Sequence, residues 1–167
     1  LINVKYRDGR KNFKLYKGAE KIFYNINSIV GYDWCVITEG EMDVLALHEA
    51  GVKNVISVPN GATLNSNNLD YLDNCIDYFE DKEKIILAVD ADEAGQALRY
   101  EFIRRLGAEV CYLVDFNGDK DANDFLIKHG PEELKKVITS ATQVPLEGVS
   151  TLRDLEADLL DFVHNGF

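Results

Sequence analysis

Between Trp34 and Val114, short apolar runs alternate with stretches of helical spacing. Trp34–Thr38, Val55–Val58, Ile85–Val89 and Val110–Val114 are four- or five-residue runs dominated by apolar side chains, as expected of strands buried on both faces. Residues 41–50 and 93–106 instead repeat apolar positions at helical intervals, and Gly51 and Gly107 follow where helices of that length end. Thr38 and Glu41 stand in capping-box spacing before the first helix. Leu69, Leu72, Ile76 and Phe79 predict a further helix after the turn Pro59-Asn60-Gly61-Ala62. Strands alternating with helices predict an α/β fold, a mainly parallel sheet covered by helices on both faces.

The flanks read differently. Residues 2–7 and 12–16 alternate around Asp8-Gly9-Arg10-Lys11, which predicts a β-hairpin. Lys17 to Val30 has no regular period. Residues 124–129 and 132–140 predict two short helices separated by Gly130-Pro131. Val144-Pro145 and Gly148 break the pattern. Leu152, Leu155, Leu159 and Val163 then form the stripe of a last amphipathic helix that needs a partner face.

Composition sharpens this picture in three places. A length of 167 residues with 46% hydrophobic content suits one globular domain with a terminal appendage, and no apolar run reaches membrane-spanning length. The chain opens on Leu1, so a piece of a longer protein is expected. Its three cysteines, Cys35, Cys75 and Cys111, lie far apart without a C-x-x-C, which argues against a zinc site and for a reducing compartment, expected to be the cytoplasm. The net charge of −11 is unevenly spread. Residues 1–28 carry seven Lys/Arg against two acids, and the remainder carries 11 basic against 27 acidic groups. A basic first segment facing a polyanion, beside an acidic body that holds cations, is one reading; a solvated surface is the other.

The candidate chemistry lies where strands end. Glu39 and Asp43 follow the first core strand, and Asp90 and Asp92 follow the strand at 85–89. Ligands of open α/β sheets bind beyond the carboxyl ends of the strands. Asp90 and Asp92 are two apart and would share a face if the strand continued. Four converging carboxylates repel unless a cation relieves them, and oxygen ligands without His or Cys favour Mg²⁺ or Mn²⁺. Gly40 and Gly95 allow backbone to approach a ligand closely. Asp121 extends the cluster from Lys120-Asp121-Ala122-Asn123-Asp124, and Lys120 is placed to meet a phosphate. Taken singly, each of these acids fits a helix cap equally well.

Taken together, Thr38-Glu39-Gly40-Glu41-Met42-Asp43, Asp90-Ala91-Asp92-Glu93-Ala94-Gly95 and Lys120-Asp121-Ala122-Asn123-Asp124 resemble the successive motifs of the Toprim domain, in the form carried by bacterial-type and phage-type DNA primases and primase-helicases. The resemblance implies a compact Toprim sheet and Mg²⁺-dependent (or Mn²⁺-dependent) RNA primer synthesis from ribonucleoside triphosphates on single-stranded DNA. It implies Glu39 and Asp43 as catalytic groups, Asp90, Asp92 and Asp121 as metal ligands, and Lys17, Lys21 and Lys120 as nucleotide or DNA contacts. It also implies a layout. Residues 1–33 end a basic primase-specific subdomain, 34–142 form the Toprim domain, and 143–167 lead toward a replicative helicase in cis or in trans. The isolated piece is expected to be inactive, with no membrane partner. Two alternatives stand beside this: a non-catalytic Toprim module that binds nucleic acid or docks a helicase, and a Toprim nuclease or topoisomerase-type domain. A phospho-accepting receiver domain fits the Glu39–Asp43 spacing poorly.

Overall fold

The computed structural model describes residues 3–10, 13–60 and 69–145. The predicted helix bearing Leu152 to Val163 lies outside the described residues, as do Gly61 and Ala62 of the predicted turn. Strands β1 (Lys5–Arg7) and β2 (Phe13–Leu15) pair antiparallel, Lys5 opposite Leu15, giving the predicted hairpin. The body is a five-stranded sheet of β3 (Trp34–Thr38), β4 (Val55–Ser57), β5 (Lys84–Ala88), β6 (Cys111–Leu113) and β7 (Thr142–Gln143), in the order β4-β3-β5-β6-β7. The first four run parallel; β7 returns antiparallel on β6. This closing strand was not predicted, because a two-residue pairing leaves no period to read.

The helices are α1 (Glu41–Glu49), α2 (Asp70–Asp73), α3 (Glu93–Leu106), α4 (Ala122–His129) and α5 (Pro131–Thr139). They cover both faces. Along β3, Cys35 and Ile37 join a core with Phe23, Leu72, Leu98 and Phe102, whereas Val36 joins Val44, Leu47, Phe125 and Leu134 on the other side. Along β5, Ile85 and Leu87 face the first core and Ile86 the second. A continuous apolar run thus serves two cores at once, each strand handing alternate side chains to opposite helical layers.

Three local expectations are corrected. Thr38 does not cap α1: it ends β3, and its hydroxyl lies 3.2 Å from both the Gly40 and Ile56 carbonyls, while Gly40 is the capping residue. The strand holds Thr38 two residues ahead of the cap position, too early for a box. The predicted helix over 69–79 is two pieces, α2 and a 3₁₀ turn at Ile76–Tyr78. Asp73, Asn74 and Cys75 are weak helix formers at its middle. Leu72 and Phe79 are still buried, but Ile76 is exposed. Finally, the irregular stretch 17–30 contains a 3₁₀ turn at Ile26–Ile29 and a bridge from Tyr24 to Ser57.

That stretch enters the core. Phe23 is buried among Tyr71, Phe79 and Phe102, with ring centroids 4.9, 5.6 and 6.2 Å away. Phe23→Ala should lower unfolding free energy by about 3–5 kcal/mol, measured by urea titration; a loss below about 1 kcal/mol would mean that this cluster is dispensable. All three cysteines are buried and free, and burial pushes the Cys35 and Cys111 thiols up to about 12. Both should resist alkylation in the native protein at pH 8 and react once it is unfolded, as mass spectrometry would show.

Candidate metal centre and its acidic loops

β3 and β5 are neighbours in register, Thr38 opposite Ala88, so the loops that leave them emerge side by side. β6 lies next to β5 and delivers the loop to α4 on its other side, where the Ala91 N–H donates to the Lys120 carbonyl at 3.4 Å. The sequence cannot state this neighbourhood, because the strand order departs from chain order.

Asp43 sits in the first turn of α1, only 6% exposed, and its Oδ1 accepts the Asn123 N–H of α4 at 3.1 Å. Burial pushes its carboxyl up to about 7, and the nearby Asp121 and Asp90 charges push the same way, against the lowering effect of the Asn123 bond. Asp90 is 8% exposed, and its carboxyl is also raised by burial, with the Lys120 ammonium opposing. Lys120 Nζ lies 2.8 Å from Asp90 Oδ2 and 3.2 Å from Asp121 Oδ2, bridging the two acids. These contacts hold the Lys120 ammonium strongly in its charged form.

Asp92 and Asp121 both serve as helix caps. Asp92 Oδ1 accepts the Gly95 N–H at 2.8 Å to open α3, and Asp121 Oδ1 accepts the Asp124 N–H at 2.8 Å to open α4. The prediction that Asp90 and Asp92 share a strand face is therefore corrected: β5 ends at Ala88 and Asp92 already belongs to the helix start. A cap uses one carboxylate oxygen and leaves the other for a second partner, which at Asp121 is Lys120. Gly95 is required by close approach, since a Cβ there would lie 2.2 Å from the Asp90 carbonyl oxygen. A Cβ at Gly40 would meet Asp43 Oδ2 at 3.0 Å.

The remaining predicted residues make other contacts. Glu39, half-buried after β3, acts electrostatically on Tyr71. Lys21 pairs with Asp70 of α2 at 2.6 Å, and Lys17 is exposed beyond β2. Two sets of contacts had no sequence signal, because each joins residues of different structural elements. Lys5 of the hairpin meets Glu41 of α1 at 2.7 Å, beside a cleft of about 400 Å³ lined also by Tyr24, Asn25 and Pro59. Asp119 is held below the usual carboxylate range, chiefly by Lys128 at 2.5 Å and also by His129 at 2.7 Å.

The donor set suits a hard cation: carboxylates at strand ends, among the described residues no imidazole or thiol grouped with them, and an ammonium standing between two of them as a resident counter-charge. As they stand, no three acidic, His or Cys side chains among the described residues meet at one point to enclose an ion. No helix among those residues is long and apolar enough to cross a membrane.

Comparison with known proteins fits this geometry. The Toprim-like family matches residues 36–126, from within β3 to within α4. The chain is similar to the Primase homolog protein of Arabidopsis thaliana, 38% identical over 88% of this chain and 49% of that protein. It is likewise similar to the Twinkle homolog protein, chloroplastic/mitochondrial, of the same plant, 34% identical over 92% of this chain and 24% of that protein. It thus spans about half the length of the first relative and a quarter of the second. Among solved structures, it superposes with a TM-score of 0.71 on a bacteriophage T7 assembly of lagging-strand DNA polymerase with primase domains bound to an RNA/DNA hybrid and dTTP, at 29% identity over 83% of this chain and 70% of that one. The chain belongs to the Toprim-like family and is related to the DNA primases and primase-helicases.

Proposed function

We propose that the chain is the catalytic Toprim portion of a DNA primase, joining ribonucleotides into RNA primers on single-stranded DNA. One observation carries this reading. The Asp121 charge disfavours ionisation of both Asp43 and Asp90, these two are deeply buried, and Lys120 bridges Asp90 and Asp121. Such a cluster is short of positive charge. In the proposed site, Asp90, Asp92 and Asp121 hold Mg²⁺ or Mn²⁺. When bound, the ion supplies Lewis-acid stabilisation of phosphoryl oxygens.

The chain's own residues do the rest. Asp43 keeps α4 docked through Asn123, and Glu39 at the strand end acts as a general base or as an orienting group for the attacking hydroxyl. Lys120 is poised to exchange its carboxylate partners for a phosphate. Lys17 and Lys21 would contact template or nucleotide from the basic segment. The layout follows the motifs: a basic subdomain over 1–33, the Toprim domain over 34–142, and a link over 143–167 toward a replicative helicase. The buried thiols suit a reducing compartment such as cytoplasm, and one relative's name places that protein in chloroplasts and mitochondria.

A second reading has its own support. Because Lys120 already bridges Asp90 and Asp121, the acids own a counter-ion without any metal, as a non-catalytic module that binds nucleic acid or a helicase would require. Calorimetric titration with Mg²⁺, together with primer synthesis by the intact parent, separates the two. The double variant Asp90→Asn, Asp92→Asn should lose Mg²⁺ binding and reduce primer synthesis by at least about a hundredfold. Synthesis at the unmodified rate would overturn the metal assignment.

Asp43 gives an independent check in the absence of divalent ions. Its folded value of about 7 lies above its ordinary 3.8, so the folded state binds the proton more tightly. Stability should then fall as pH rises from about 4 to 7, by roughly 1–4 kcal/mol. Asp43→Asn should flatten that slope in urea titrations at pH 5 and 8 in EDTA; an unchanged slope would show that Asp43 is ionised throughout.

A further inference from the structure

Arg99 lies on α3, one turn beyond Gln96, and both line a recess of about 360 Å³ with Ala91, Asp115, Asp119 and Thr142. The recess opens beside the acidic loops, since Ala91 stands between Asp90 and Asp92 and Asp119 precedes Lys120. The Arg99 Nε is sealed from solvent and has no hydrogen-bond partner among the described residues. Buried guanidinium donors are ordinarily satisfied, so an orphaned one calls for an acceptor supplied from outside.

The surroundings narrow what that acceptor is. Burial disfavours the Arg99 charge, and Asp115 only partly offsets this from a distance. The Asp115 carboxylate accepts the Asn117 N–H at 2.8 Å. Asp119 is engaged by Lys128 and His129, so its charge is already met. Arg99 is thus the cationic group in the recess without a close anionic partner among the described residues. A guanidinium fork matches the geometry of a phosphate, and the cavity is large enough for one with part of a sugar.

We infer that the Arg99 recess is a phosphate-oxyanion subsite, adjoining the acidic loops on the α3 side of the sheet. Its ligand is the polyphosphate tail of a nucleotide or a phosphodiester of a nucleic-acid strand. This choice of ligand rests on the nucleotidyl-transfer reading above, whereas the subsite itself needs no metal.

The test titrates inorganic pyrophosphate, and separately an oligothymidylate, into the chain in EDTA. Wild type, Arg99→Gln, Arg99→Lys and Arg104→Gln, an exposed arginine of the same helix paired with Glu101, are compared by calorimetry and thermal unfolding. Arg99→Gln should weaken one or both probes at least about tenfold, Arg99→Lys less, and Arg104→Gln not at all. Loss confined to pyrophosphate assigns a nucleotide tail; loss confined to the oligonucleotide assigns a strand. The unfolding midpoint of the wild type, but not of Arg99→Gln, should rise with the affected probe. The subsite is overturned if neither probe binds the wild type, or if Arg99→Gln binds both as tightly. Failure of Mg²⁺-dependent synthesis with the Arg99 effect intact would sink the catalytic reading and leave the subsite standing.

Discussion

The in-register parallel pairing of β3 with β5 is the constraint on which the rest of the structure depends. Five residue pairs, Trp34 with Lys84 through Thr38 with Ala88, bring two strand ends to one level at the centre of the sheet. Each strand then turns into a helix across an acidic loop. A one-residue slip would reverse which side chains each core receives and separate the loops. Because Cys35, Ile37, Ile85 and Leu87 pack on one face and Val36 and Ile86 on the other, the register is specified from both sides.

On that scaffold the acidic cluster is an electrostatic compromise. Burial makes Asp43 and Asp90 costly to ionise, and neighbouring carboxylates, Asp121 among them, add to the cost. Two devices limit the damage without removing it: backbone N–H groups at helix starts, satisfied by Asp92, Asp121 and Asp43, and the Lys120 bridge. A site so arranged gains from any added positive charge. The same helix starts fix the carboxylates in place, so capping and ligand positioning are one function of the same side chains.

Much of the architecture was legible because it rests on local periodicity. The hairpin at Asp8-Gly9, the strands at 34–38 and 85–89, and the helix closed by Gly107 follow from short-range pattern and turn chemistry. The misses have different causes. Thr38 looks like a cap in sequence but is held in a strand, where tertiary pairing overrode a local preference. The 69–79 spacing survives as burial of Leu72 and Phe79, but the weak helix formers Asp73, Asn74 and Cys75 divide the helix.

The sequence by itself determined the inventory: which acids follow strands, which glycines permit close approach, and which motifs together mark the Toprim-like family. Local periodicity and residue chemistry suffice for that. Only the tertiary structure decided the meetings. Asn123 reaches Asp43 across 80 residues, Lys5 reaches Glu41 across 36, Lys120 bridges Asp90 and Asp121, and Arg99 is left facing a recess. Those contacts depend on strand order and helix packing. Sequence spacing does not encode distances between segments brought together by a sheet whose order differs from that of the chain.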